Sequence, residues 1–249
     1  MSESSPFNSQ GYFADGLRSA EARQRMFADQ PAGLQVLRRS LPPGLVVVED
    51  YLPPELREAF CTYAREQAGR PSTVQAPDAG AGENLTRMSA ARVTDYIEID
   101  GIAERVHAVM RGIFLDQVSR HYGTQIDWYE KPELLRYQPG GHYSPHADAE
   151  NWDARARSWK RAMDRDFSIL LYLNDGFEGG SLTFPNFGLR LKPSAGMLVV
   201  FPSDHRYVHC AEPVEKGERI LLVCWCAAKC GSRVGAGTPE GATVLDADS

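Results

Sequence analysis

The hydrophobic period of the chain changes near residue 125, and that change limits the possible folds more than any other feature. Before it, apolar residues recur at helical spacing; after it, they alternate or fall in short runs broken by Gly, Pro, Asn and Asp. Strand signals occupy residues 126–129, 133–138, 167–173, 181–184, 189–191, 197–201 and 219–227, which reads as a strand-rich second half. Upstream, residues 53–69 predict a helix. Pro54 suits its first turn, Leu56, Phe60 and Tyr63 share a face, and Gly69 fits just past its end. A second helix is predicted over 101–122, where Ile102, Val106, Val109, Ile113 and Phe114 recur at helical spacing and Gly123 closes it. Residues 45–48 read as a short strand. Ala22, Met26 and Phe27 make a weak apolar stripe that suggests a helix over 19–29. The Gly/Ala/Pro-rich stretch 70–88 is expected to be a loop, and 231–249 a flexible tail.

At 249 residues the length allows one or two domains, and β-rich chains of this size commonly form one unit. The expectation is a single domain over 1–249, with a mostly helical N-terminal support (1–125) and a β core (126–230). Apolar residues at 43% exclude wholesale disorder. No apolar run approaches the roughly 18 residues of a membrane span, and residues 1–10 lack a basic start followed by an apolar core. Five cysteines are too few and too unevenly placed for a disulfide framework, so a reducing, cytoplasmic setting is expected. The net charge of −6 argues against a general grip on nucleic acid or on an anionic membrane. Oligomeric state is not legible, since no heptad or interface stripe is present.

Chemistry enters at His146 and Asp148. On a strand, residues i and i+2 face the same side, so this imidazole and this carboxylate can approach one point together. His209 follows after four further strand signals, and Arg219 lies across the turn that follows it. Two imidazoles and one carboxylate on one face of a metal leave three open positions, an arrangement suited to non-haem Fe(II) oxygen chemistry. A basic residue on a neighbouring strand would hold the far carboxylate of a keto-acid cosubstrate.

In the order of these motifs the chain resembles the Fe(II)/2-oxoglutarate-dependent dioxygenases, in particular their prolyl 4-hydroxylase-like branch. The matching pieces are Arg136-Tyr137, His142-Tyr143-Ser-Pro-His146-Ala-Asp148, the run 165–174, Phe177-Glu-Gly-Gly-Ser-Leu-Thr-Phe-Pro185, the run 193–202, Tyr207-Val-His209, and 213–219 continuing to Trp225. The resemblance implies an α+β fold, mainly β: a double-stranded β-helix (jelly roll) core buttressed by N-terminal helices. It implies Fe(II) held by His146, Asp148 and His209. It also implies 2-oxoglutarate with its distal carboxylate on Arg219, O2 as oxidant, and ascorbate as a candidate reductant. Tyr137 and Tyr172 match positions whose hydroxyls help to bind the cosubstrate in this branch, and Tyr143 and Trp152 are candidates for the substrate side. The intact carboxylate at Asp148 favours hydroxylation over halogenation, since related halogenases carry a small residue there. The implied reaction couples hydroxylation of an unactivated C–H bond to decarboxylation of 2-oxoglutarate to succinate and CO2. The substrate would be a prolyl residue in a peptide or protein, or a small molecule such as an amino acid or natural product.

Other readings compete. A non-catalytic jelly-roll binding protein that kept the metal site is one, although such a module needs no triad together with Arg219. A zinc hydrolase is another, but no Glu stands as general base in a metalloprotease motif. Cys224 and Cys226 share the strand face opposite Arg219, Leu221, Val223 and Trp225, so they are expected to pack under the helices rather than bind metal. Cys210 is expected to point away from the metal, His205 to sit in a turn, and His142 to line an entrance. The charged run 149–166, with Trp152 and Trp159, reads as a connecting helix or a lid over the iron.

Overall fold

A computed structural model describes residues 41–72, 74–75, 86–87, 91–235 and 237–245; the helix expected over 19–29 lies outside them. Its framework is two antiparallel sheets that form a double-stranded β-helix. The larger sheet runs in the order Val46–Val48, Leu198–Pro202, Phe167–Tyr172, Arg219–Ala228, Glu133–Tyr137, Asp95–Ile97 and Arg70–Pro71. Ile126–Tyr129 pairs with the far end of Arg219–Ala228, and Thr243–Val244 pairs with Ile126–Tyr129. The smaller sheet runs Leu189–Leu191, Leu182–Phe184, His209–Ala211, His142–His146 and Arg92–Val93.

Alternation of side chains across the larger sheet divides the interior into two layers. Leu135, Leu170, Val199, Phe201, Leu221, Val223 and Trp225 face the smaller sheet and pack there with Leu182, Phe184 and Leu191. Their strand neighbours Leu134, Ile169, Leu171, Leu198, Val200, Ile220, Leu222, Cys224 and Cys226 face the other way. They share a layer with Phe60 and Ala64 of the Pro54–Glu66 helix and with Val106, Met110, Ile113 and Phe114. With both faces covered, the central strands read as nearly continuous apolar runs rather than as polar–apolar alternation. The second helical segment is not uniform: a 3-10 turn at Asp100–Ile102 leads into Ala103–Gly112, a π-helical stretch at Ile113–Val118, and Ser119–Tyr122. Gly123 ends it in the left-handed conformation, with φ +61°. Among the described residues no helix is long and apolar enough to cross a membrane.

Three expectations are corrected, and two strands are added. The stretch 70–88 is not simply a loop, because Arg70–Pro71 pairs with Asp95–Ile97 at the edge of the larger sheet and Val74–Gln75 pairs with Thr86–Arg87. Arg92–Val93 and Asp95–Ile97, unassigned from sequence, are strands of different sheets, too short to show a period. The run 149–166 is not a helix; Glu150–Asp153 and Ser158–Arg161 form a hairpin that sets Trp152 against Trp159. Asp153 turns it by accepting the N–H groups of Arg155 and Ala156. Finally, the segment after 230 is not frayed over 231–245. Leu245 is buried, and Asp164 accepts the N–H groups of Val234 at 2.6 Å and Gly235 at 2.9 Å.

Asp164 thus ties the C-terminal segment to the strands around the site. Asp164→Ala strands two N–H donors and is expected to cost about 1–3 kcal/mol. A lower urea midpoint and faster proteolysis within 231–245 would show it, and an unchanged midpoint would refute the tie.

Candidate active site

The smaller sheet creates the site through its register. His146, the last residue of its strand, stands directly opposite His209, the first residue of another. Asp148, two residues beyond His146, brings its carboxylate to both imidazoles. Oδ1 lies 3.4 Å from His146 Nε2 and Oδ2 lies 3.7 Å from His209 Nε2. The three ligand atoms lie within 4.8 Å of one another, the single such group of three found among the described residues. His146 Nδ1 lies 2.8 Å from the Ser144 carbonyl and His209 Nδ1 lies 3.1 Å from the Tyr207 carbonyl. A carbonyl can only accept, so each Nδ1 carries the hydrogen and each Nε2 presents a lone pair to the shared point.

Electrostatics agree with a ligand set. Burial and the neighbouring His146 push His209 down to about 4, against the opposing Asp148 charge, so its imidazole is neutral at pH 7. Burial alone would raise Asp148, but His209, His146 and Arg165 outweigh it and hold the carboxyl well below the usual range. The donor set is therefore two imidazoles and one carboxylate, which suits a divalent transition metal.

One cavity joins this triad to Arg219, Tyr137 and Tyr172, with walls of Leu135, Leu170, Leu182, Leu221, Val223 and Trp225. Arg219 stands opposite Tyr137 in the larger sheet, and its guanidinium carbon lies 4.1 Å from the Tyr137 ring centroid. It is 1% exposed. Nη1 donates to the Gly180 carbonyl at 2.6 Å and to the Glu212 carbonyl at 3.3 Å. Gly180 permits this approach, since it has φ +63° and a Cβ there would sit 3.2 Å from Nη1. Nε and Nη2 of Arg219 are buried with no hydrogen-bond partner among the described residues. A buried cation with two idle donors at the end of a cavity fits a carboxylate that enters it. Burial raises the Tyr172 hydroxyl against the lowering effect of Arg219, so it stays protonated.

Tyr143 stacks on His146 with centroids 3.6 Å apart, and the Arg92 guanidinium carbon lies 5.1 Å from its ring. Trp152 is not among the cavity-lining residues; its ring lies 5.8 Å from Trp159, on the hairpin. His205 sits in a short turn with Nδ1 2.5 Å from Glu150, and His142 Nδ1 lies 2.9 Å from the Gly140 carbonyl. Cys210 Sγ meets Thr183 Oγ1 at 2.7 Å, outside the metal group. Burial, reinforced by the other thiol for Cys224 and by Asp166 for Cys226, pushes both thiols up, so neither is a thiolate ligand.

Sequence reasoning missed three participants. Ser168 donates to Asp148 Oδ2 at 2.6 Å; its signal was a lone polar residue in the run Phe-Ser-Ile-Leu-Leu-Tyr. Arg165 grips Glu130 with two bonds of 2.6 Å, reaches the Asp148 carbonyl at 3.4 Å and lies 3.8 Å from the Trp225 ring. Arg92 pairs with Glu133 at 2.9 Å and lines both this cavity and an adjacent open cleft of about 420 Å³. No sequence signal pointed to Arg92, which lies in a two-residue strand.

Residues 132–227 match the family model of the 2OG-Fe(II) oxygenase superfamily. The matched stretch carries His146, Asp148, His209 and Arg219. This match and the relatives that follow support a 2OG-Fe(II) oxygenase similar to the prolyl 4-hydroxylase-like branch, a family whose members use Fe(II) and 2-oxoglutarate. It is 29% identical over 216 residues to prolyl 4-hydroxylase 1 of Arabidopsis thaliana, covering 76% of this chain and 71% of that one. It is 35% identical over 99 residues to a PKHD-type hydroxylase of Sphingopyxis alaskensis, covering 37% of this chain and 41% of that one. The chain thus spans less than half of the bacterial hydroxylase. A solved prolyl hydroxylase from Trichoplax adhaerens, in complex with a hypoxia inducible factor oxygen degradation domain peptide fragment, shares the fold. Its TM-score is 0.53 at 18% identity, covering 86% of this chain and 96% of that one.

The depressed His209 gives a signed pH dependence. Between about 4 and its ordinary 6.5 the unfolded chain takes up a proton that the folded chain refuses. The metal-free protein should therefore lose stability as pH falls through that window, by up to about 1.4 kcal/mol per unit. Urea midpoints at pH 7 and pH 5 measure this, and His209→Gln should remove that share of the slope. An equal slope in the variant would place the loss elsewhere.

Proposed function

We propose that the chain is an Fe(II)/2-oxoglutarate-dependent hydroxylase acting on an unactivated C–H bond, with a prolyl residue of a polypeptide as its substrate. The reading is carried by one observation: an apolar-walled cavity with a metal-ligand triad at one part and, at another, a buried arginine with two unused donors. His146 Nε2, His209 Nε2 and the Asp148 carboxylate would hold the iron. Arg219 would take the distal carboxylate of 2-oxoglutarate through Nε and Nη2, and the protonated Tyr172 and the Tyr137 hydroxyl would complete its recognition. When bound, iron with 2-oxoglutarate and O2 supplies the oxidation, giving succinate, CO2 and a hydroxylated product.

The rest of the work falls to the chain. The apolar walls from Leu135 to Trp225 exclude water, which strengthens the Arg219–carboxylate attraction and keeps the cosubstrate in one orientation. Stacking against Tyr143 limits the His146 ring, and the two carbonyl acceptors hold both imidazoles in the tautomer that ligation needs. The cleft beside Arg92 is the proposed route of approach for an extended polypeptide, ending near Tyr143. The catalytic core is taken as residues 126–230, with the preceding helices as its support. The prolyl assignment draws on what the relatives are called and is open to direct test.

Anaerobic addition of Fe(II) and 2-oxoglutarate should produce a visible metal-to-ligand charge-transfer band that His146→Ala abolishes. Succinate release should then respond to proline-containing peptides; a response to free amino acids alone would overturn the polypeptide assignment. Arg219→Leu should keep Fe(II) binding but raise the KM for 2-oxoglutarate by about 10- to 200-fold, the loss expected for a charge-assisted hydrogen-bonded pair. An unchanged KM would remove Arg219 from the cosubstrate site.

A further inference from the structure

Ser168 and Ser203 are two buried serines beside the triad. They are 0% and 1% exposed, and neither has a role in the reading above. Ser168 stands in register with Phe201 on one side and Trp225 on the other, so its side chain emerges on the wall that faces the smaller sheet. Its Oγ lies 2.6 Å from Asp148 Oδ2 and 2.7 Å from Ser203 Oγ. The direction of both hydrogen bonds follows from chemistry. An ionised carboxylate only accepts, so the Ser168 hydrogen goes to Asp148. Ser168 then has only lone pairs to offer, so the Ser203 hydrogen goes to Ser168.

We propose that Ser203 and Ser168 form a one-way hydrogen-bond chain that positions Asp148, engaging Oδ2 so that Oδ1 is the oxygen presented to the metal. The backbone supports this. The Ser203 carbonyl accepts the Ala149 N–H at 2.9 Å, and its N–H donates to the Asp166 carbonyl at 3.0 Å. Ser203 is therefore tied both to the residue after Asp148 and to the segment that enters the Ser168 strand. Oδ1, which faces His146 Nε2, is left to the metal. One oxygen rather than two from Asp148 keeps open the positions that cosubstrate and O2 require. Ser168 and Ser203 touch neither, so they are positioning residues. Partners of this kind, hydrogen-bonded to a ligating carboxylate, typically set metal affinity by about 10- to 100-fold.

The inference rests on the metal reading, and calorimetric titration of the metal-free protein with Mn(II) separates the two. Ser168→Ala should bind Mn(II) about 10- to 100-fold more weakly, and Ser168→Thr, which keeps the hydroxyl, should restore binding. Ser203→Ala should weaken binding less, and the double variant should bind no more weakly than Ser168→Ala, because Ser203 acts only through Ser168. The anaerobic Fe(II)/2-oxoglutarate band should shift in Ser168→Ala and not in Ser168→Thr. If Ser168→Ala does not fold, Ser203→Ala carries the test by its weaker Mn(II) binding. Wild-type affinity in Ser168→Ala, or in a folded Ser203→Ala, overturns the chain, as does a double variant in which the two losses add. A wild-type protein that binds no Mn(II) or Fe(II) overturns the metal reading instead.

Discussion

The pairing of His209 with His146 across the smaller sheet is the constraint on which the site depends. A slip of one residue would turn one imidazole to the opposite face and leave Asp148 beside a single histidine. The pairing also sets the local chain path. His146 ends its strand, so the backbone is free to carry Asp148 round to the same point, and on the partner strand the register shifts between His209 and Ala211. What looks like a metal site is, in physical terms, a register held by the apolar layer behind it.

A second constraint is electrostatic. Arg219 is a permanent charge in a nearly water-free layer, and one Nη alone is satisfied, by two carbonyls. Burying a cation so incompletely paired is costly, and a fold that retains it has a use for an anion there. The triad presents the opposite case, with a carboxylate stabilised by neighbouring imidazoles and a serine hydroxyl. The two ends of the cavity thus differ in charge and in unmet coordination. A keto-acid with a metal-binding end and a distal carboxylate matches that difference.

The core strands were legible because their period is local. The strands at 126–129, 133–137, 189–191 and 219–228 follow the sequence signals to within one residue, and Cys224 and Cys226 lie in the helix-side layer that alternation assigns them. The failures have a common cause. Arg92–Val93 and Asp95–Ile97 are too short for a period to register, and they are strands only because of what they pair with. The hairpin at 150–161 resembles a solvated helix in composition, and the cross-strand meeting of Trp152 with Trp159 makes it otherwise. The segment 231–245 looks like a loose tail, yet a buried carboxylate seventy residues upstream holds it by two backbone N–H groups.

By itself the sequence held the residue types and their order, and its resemblance to the Fe(II)/2-oxoglutarate-dependent dioxygenases singled out His146, Asp148, His209 and Arg219 as candidates. The shared strand face expected of His146 and Asp148 is not how they meet, because the strand ends at His146 and Asp148 lies in the bend beyond it, while His209 and Arg219 each begin a later strand. Tertiary structure decided which nitrogen each imidazole presents, that Arg219 keeps two donors idle, that Ser168 grips Asp148, that Arg92 borders the cavity, and that Trp152 stays outside it. Each of these depends on a hydrogen bond or close approach between segments far apart in the chain. Such distances are set by strand pairing and layer packing, which no local pattern encodes.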